Sequence, residues 1–166
     1  MDSVLFNGMP MHIYGRLPQI GEPAPNFALV GKDLSEISLH DLRGRRVVLN
    51  IFPSLDTDVC AASVRRFNKE AGELTDTSVL CVSMDLPFAA ARFCTVNDIS
   101  NVLTASAFRS EFGRSYGLEL TDGPLRGLLA RALVLIDKDG RVLGTSLCRE
   151  LTEEPDYDFA IRLLKG

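Results

Sequence analysis

The chain has 166 residues, 46% of them hydrophobic, and a formal charge of −4. That size fits one domain, residues 1–166, with a substantial buried core. The acidic balance argues against a nucleic-acid binder, because no basic stripe is there to neutralise phosphates, and no apolar run reaches the ~18 residues that a membrane span needs.

The first residues, MDSVLFNGMP, carry an acidic side chain at position 2 and no apolar signal core, so a cytoplasmic protein is expected. VLF, then Asn7-Gly8, then MPMHIYG reads as a β-hairpin over about 3–15, since Asn-Gly supplies the positive φ angles of a tight turn. A Pro/Gly-punctuated stretch leads to a short strand at 27–30, and SEISL (35–39) alternates like a second. VVLNIF gives a buried strand at 47–52, ended by Pro53. A helix is predicted over 58–74, a buried strand over 78–84, and a helix from Pro87 to 97. A strand near 101–104 and a helix near 107–116 follow. Strands at 132–136 and 141–147 flank Asp139-Gly140, a second hairpin turn, and a helix over 156–165 closes the chain after Pro155. Strands alternating with helices predict an α/β fold with a central mixed sheet flanked by helices.

The four cysteines, at 60, 81, 94 and 148, are too few for a disulfide scaffold; in a reducing compartment they point to reduced or catalytic thiols. Along the predicted helix, apolar or small residues at 60, 64, 67, 71 and 74 trace one face, so Cys60 points to the core. Thr57 or Asp58 is the natural N-cap, which places Cys60 in the first turn. Unpaired backbone N–H groups and the helix dipole stabilise a thiolate at such a position. On position alone, a buried filler and a nucleophile stand level. A dithiol of the Cys-x-x-Cys kind is disfavoured, because the stretch reads Cys60-Ala61-Ala62-Ser63. Zinc is weaker still: no two cysteines lie close in sequence, and only His12 and His40 could assist.

Pro53-Ser54-Leu55-Asp56-Thr57-Asp58-Val59-Cys60 resembles the active-site motif of the peroxiredoxins. More narrowly, NIFPSLDTDVCAASVRRFN, LCVSMDLPFAAARFC, DGPLRGLLARALVLID and EEPDY resemble the bacterial thiol peroxidases, the atypical two-cysteine peroxiredoxins. The resemblance runs from the N-terminal hairpin to the last helix. It implies a thioredoxin-like fold with an added N-terminal hairpin. Cys60 aligns with the peroxidatic cysteine, which attacks a peroxide oxygen and becomes a sulfenic acid. Cys94 aligns with the resolving cysteine of the same chain, forming a Cys60–Cys94 redox disulfide. Thr57 aligns with a hydroxyl that bonds the sulfur and the peroxide, Pro53 with a shield against water, and Arg131 with a cation that holds the thiolate and polarises the peroxide. Hydrogen peroxide or an alkyl hydroperoxide is the implied substrate, thioredoxin the reductant and a homodimer the assembly, with neither metal nor organic cofactor. The apolar side chains Phe52, Phe88 and Phe93 lean toward organic peroxides.

Taken without the family, Arg131 reads as a strand-flanking surface charge, Thr57 as a helix cap and Pro53 as a strand terminator. Cys94 reads as a core position, as do Cys81 and Cys148. A thiol–disulfide exchange protein or redox sensor on the same fold is the alternative function, and a non-catalytic interaction domain the third.

Overall fold

The structure, a computed structural model, describes residues 3–165. Asn7 and Gly8 take φ of +50° and +80°, turning strand β1 (Ser3–Phe6) back into β2 (Met9–Tyr14). Strands β3 (Ala28–Gly31) and β4 (Glu36–Ser38) form the next hairpin, followed by a single 3-10 turn at His40–Leu42. Then come β5 (Arg46–Ile51), α1 (Asp58–Ala71), β6 (Thr77–Ser83), α2 (Pro87–Val96) and β7 (Leu103–Ser106). The short α3 (Phe112–Ser115) and β8 (Glu119–Leu120) precede β9 (Ala132–Ile136), β10 (Val142–Leu147) and α4 (Tyr157–Lys165).

Seven strands form one mixed sheet in the order β10-β9-β5-β6-β7-β3-β4. β5, β6 and β7 run parallel, while β9 lies antiparallel against β5 and β3 against β7. Near-continuous apolar runs in β5, β6 and β9 fit strands covered on both faces. On one face Val47, Leu49, Ile51, Leu80, Val82 and Val134 pack against the small sheet β1-β2-β8 and against Phe112 and Tyr116. On the other, Val48, Val79, Cys81, Leu133 and Leu135 pack under Val64 and Phe67 of α1, Ala90 of α2 and Ala160 of α4. Each such aliphatic or aromatic side chain contributes about 1.5–3 kcal/mol of burial. The register brings the end of β5 beside both the end of β6 and the start of β9, since Ile51 pairs with Val82 and with Ala132. Three loops therefore meet at one end of the sheet, and the site is built there.

Two expectations shift. The helix expected over 107–116 shrinks to Phe112–Ser115. Ala107 instead extends the parallel ladder by donating to Ser83 O at 2.8 Å, and the Ser110 hydroxyl accepts from Phe112 N at 3.1 Å, starting the helix late. The strand expected at 101–104 begins at Leu103, because Asn68 of α1 claims the preceding residues: its side-chain oxygen accepts from Ser100 N and Asn101 N at 3.1 and 2.7 Å. The pairing of β8 with β2 joins Ile13 to Leu120 across the chain, which no local pattern foretells. Among the described residues no helix is long and apolar enough to cross a membrane.

The N-terminal hairpin is tied to a distant stretch. Leu5 N donates to Arg149 O at 2.6 Å and Leu151 N to Leu5 O at 2.8 Å. The Glu150 carboxylate accepts from Asn7 N at 3.2 Å and Gly8 N at 2.8 Å, gripping the turn itself. Thr152 N, donating to the same carboxylate at 3.0 Å, and these two amides hold it below the usual carboxylate range.

Candidate active site

Thr57 is the N-cap of α1, with extended backbone (φ −97°, ψ 145°) and its Oγ1 accepting from Cys60 N at 3.3 Å. A cap of this kind contributes roughly 1 kcal/mol. The Thr57 hydroxyl donates to Ser54 O at 3.2 Å, so its proton is aimed at the loop and away from the sulfur. Cys60 thus sits in the first turn of α1, where backbone N–H groups are unpaired, and it is 0% exposed.

Arg131 immediately precedes β9 and is only 1% exposed, so the surface reading of this residue does not hold. Its Nε and Nη2 donate to Leu151 O at 3.2 and 2.9 Å. Nη2 also donates to Cys60 Sγ at 3.2 Å. A buried cation is costly unless an anion meets it, yet no ion pair among the described residues involves Arg131. Its side-chain partner is the sulfur of Cys60. The remaining guanidinium nitrogen, Nη1, is buried without a hydrogen-bond partner.

A cavity of about 160 Å³ opens beside this pair, with Pro53, Thr57 and Arg131 in its wall. The rest of the wall is mainly apolar: Phe6 from the hairpin, Val59, Leu125, Leu128 and Leu151. The phenylalanines singled out in the sequence lie elsewhere. Phe52 is buried in the core under α1, Phe88 is 69% exposed, and Phe93 packs at the edge of the same core. The apolar character survives, but its source is residues distant in sequence.

The loop that carries Ser54 and Thr57 is fastened to the loop after β6. Asp85 accepts from the Ser54 hydroxyl at 2.8 Å through Oδ1, and from Leu55 N and the Ser83 hydroxyl at 2.7 Å each through Oδ2. Asp85 went unnoticed in the sequence. The signal available was topological: it follows β6, whose neighbour β5 runs parallel, so the loops after both strands must meet.

Cys94 lies in α2, 4% exposed, with its sulfur 3.9 Å from Thr104 Oγ1 of β7. Cys60 leans on Arg131 at the start of β9. Those strands are three places apart in the sheet, about 14 Å at the usual strand spacing. All four thiols are unbridged, and a disulfide needs Cα atoms within roughly 4.4–6.8 Å. In this state both Cys60 and Cys94 sit within folded helices and no bond joins them. Cys81, on β6, is enclosed by the core and its thiol is pushed up to about 12 by burial. Its sulfur accepts from Asn50 Nδ2 at 3.7 Å. Cys148 is half-buried at the end of β10, not a core residue, and its thiol donates to Glu154 O at 3.5 Å. Burial also raises the Cys148 thiol above its usual range.

The Redoxin family model matches residues 19–161. A thiol peroxidase of Corynebacterium glutamicum is 50% identical over 164 residues, covering 99% of each chain. A thiol peroxidase of Mycobacterium bovis is 49% identical with the same coverage. The crystal structure of a peroxiredoxin-like protein from Aquifex aeolicus superposes with a TM-score of 0.95 at 39% identity, covering 99% of this chain and 96% of that one. The fold is accordingly thioredoxin-like, of the peroxiredoxin type. With the fold, the full length and half of the residues in common, the chain belongs to the bacterial thiol peroxidase family.

Proposed function

We propose that the chain carries out thiol-dependent reduction of hydroperoxides with Cys60 as the nucleophile, Arg131 as the polarising cation and Cys94 as the resolving thiol. The observation that carries this reading is the buried guanidinium without a carboxylate, donating to Cys60 Sγ at 3.2 Å. The guanidinium thus lies against the sulfur that must act, as a thiolate, on the peroxide. The sulfur attacks the terminal peroxide oxygen; an S–O bond forms, the O–O bond breaks, and the leaving oxygen departs as alcohol or water after taking a proton. Charge grows on the leaving oxygen as the bond stretches, and a fixed donor aimed at that charge lowers the barrier. Arg131 Nη1, buried and unpartnered, is such a donor. Thr57 lines the cavity, and rotation of its hydroxyl from Ser54 O would turn a second donor toward the oxygens. Pro53, with no N–H to offer, keeps that part of the wall dry.

The Cys60 sulfenic acid then condenses with the Cys94 thiol, forming an S–S bond and releasing water. A dithiol protein of the thioredoxin kind returns both sulfurs to thiols. The mainly apolar cavity of about 160 Å³ supports alkyl hydroperoxides over hydrogen peroxide. We place this chemistry in the cytoplasm, in a homodimer. The deciding test is peroxide consumption by purified protein with thioredoxin, thioredoxin reductase and NADPH, comparing cumene hydroperoxide with hydrogen peroxide. NADPH oxidation that does not depend on Cys60 would overturn the assignment.

A further inference from the structure

We propose that Asp85 is a positioning residue that latches the two cysteine-bearing segments together, and that releasing it sets how the enzyme divides its time between attacking peroxide and forming the disulfide. The inference rests on Cys94 being the resolving thiol. Asp85 stands between β6 and α2, two residues before Pro87, which begins the helix that carries Cys94. Its carboxylate reaches across to the Cys60 segment and binds both the side chain of Ser54 and the backbone of Leu55. From there the bonding continues without a gap: Ser54 O accepts from Thr57 N and Thr57 Oγ1, and Thr57 Oγ1 accepts from Cys60 N. One carboxylate thus fixes the cap that keeps Cys60 in a folded first turn, facing Arg131.

The other side of the latch is weakly held. α2 begins with Pro87 and its N-cap, Leu86, makes no side-chain cap bond. Its surface leaves Phe88 and Val96 largely exposed, so little apolar burial resists its opening. The three bonds that Asp85 accepts from Ser54, Leu55 and Ser83 are 2.7–2.8 Å long and charge-assisted, the strong class of hydrogen bond. Bringing Cys60 and Cys94 together moves the loop after β5 and the loop after β6 relative to each other, and Asp85 is bonded across that boundary. With the latch shut, peroxide meets a folded site, and the sulfenic acid is exposed to a second peroxide, which oxidises it to sulfinic acid and is itself reduced to alcohol. With the latch open, the sulfenic acid reaches Cys94.

The test compares wild type with Asp85→Ala, Asp85→Asn and Ser54→Ala, each first checked by circular dichroism and thermal melting. Stopped-flow mixing with cumene hydroperoxide reads the first oxidation and the disulfide step separately; intact-mass spectrometry after excess peroxide reads sulfinic acid against disulfide. Losing one charge-assisted bond shifts an opening equilibrium by about tenfold. Asp85→Ala, which removes both bonds across the boundary, is therefore expected to slow the first step, speed the disulfide step and lower the sulfinic fraction, each by about tenfold or more. Asp85→Asn, which keeps an acceptor, and Ser54→Ala, which removes a single arm, fall between. A merely structural defect slows both steps together, so opposite changes identify a latch. If wild type forms the Cys60–Cys94 disulfide and the variants alter neither rate, or slow both, the latch is wrong while the resolving role stands. If peptide mapping of wild type finds no Cys60–Cys94 disulfide, the resolving role falls and the latch falls with it.

Discussion

Cys60 and Cys94 share one hydrophobic core, yet their surroundings are opposites. Cys60 is fixed by a cap, a guanidinium and a loop whose polar groups are bonded in sequence. The buried Cys94 sulfur meets Thr104 Oγ1 at a long 3.9 Å, on a short helix without a side-chain cap. A group that must stabilise a transition state gains from a rigid frame, because donors already in place need no reorganisation during reaction. A group that must leave its place to react gains from the reverse. On the proposed mechanism the difference teaches that the first step is built into the folded state and the second into its departure from it.

The comparison breaks most completely at Cys60. Cys60→Ser removes the nucleophile with almost no change of shape, so coupled NADPH oxidation should fall to background while thermal stability stays close to wild type. Cys94→Ser should retain the first reaction: one equivalent of peroxide is consumed, turnover stops, and sulfinic acid accumulates at Cys60 by mass spectrometry. A dominant disulfide to Cys81 or Cys148, or one joining two chains, would refute the resolving role but leave the nucleophile in place.

A graded effect is expected at Arg131. Arg131→Met keeps the bulk but removes the cation, and the peroxide step should slow by about 10²–10³, the usual cost of deleting one fixed oxyanion donor. Stability should fall by about 1–3 kcal/mol in the same variant, since buried Leu151 O loses both of its guanidinium donors. Stopped-flow kinetics and denaturant titration check the two halves independently.

Smaller again is the effect at the bystander thiols. Cys81→Ala and Cys148→Ser should turn over peroxide at rates near wild type. Cys81 carries a pH signature instead. Its thiol rises to about 12 in the folded protein from an ordinary value of about 8.5. A raised value means that the folded state holds the proton more tightly than the unfolded chain. The associated stability is complete below about pH 8.5 and is lost as pH climbs toward 12. Tyr116, raised by burial, adds to the same decline. Denaturant midpoints measured across that window should therefore fall less steeply in Cys81→Ala than in wild type.

What the sequence disclosed about this contrast follows the range of the forces involved. The Asn7-Gly8 turn, the buried strands around Leu49 and Leu80 and the cap at Thr57 depend on neighbours a few residues away, and local pattern reveals them. At Cys60 local pattern leaves core filler and nucleophile level, and only the surrounding motif separates them. Arg131 looked like a surface charge because its burial depends on Leu151 O, 20 positions onward, and on Cys60, 71 positions back. Asp85 was invisible for the same reason: its partners Ser54 and Leu55 lie across a strand pairing. The cavity wall is the extreme case, drawing Phe6 and Leu151 from nearly opposite ends of the chain.

The grip of residues 149–151 on the N-terminal hairpin has a consequence for how the protein is made. Leu151 O is the acceptor that positions the Arg131 guanidinium, and Leu151 is itself paired with Leu5. Cys60 leaves the ribosome well before either Arg131 or Leu151 exists, a delay on the order of ten seconds at ordinary translation speed. During that interval the cysteine has no cation beside it. The contact between Cys60 and Arg131 closes only when the late segment returns to clasp the N-terminal hairpin, so the proposed nucleophile gains its cation among the last events of folding.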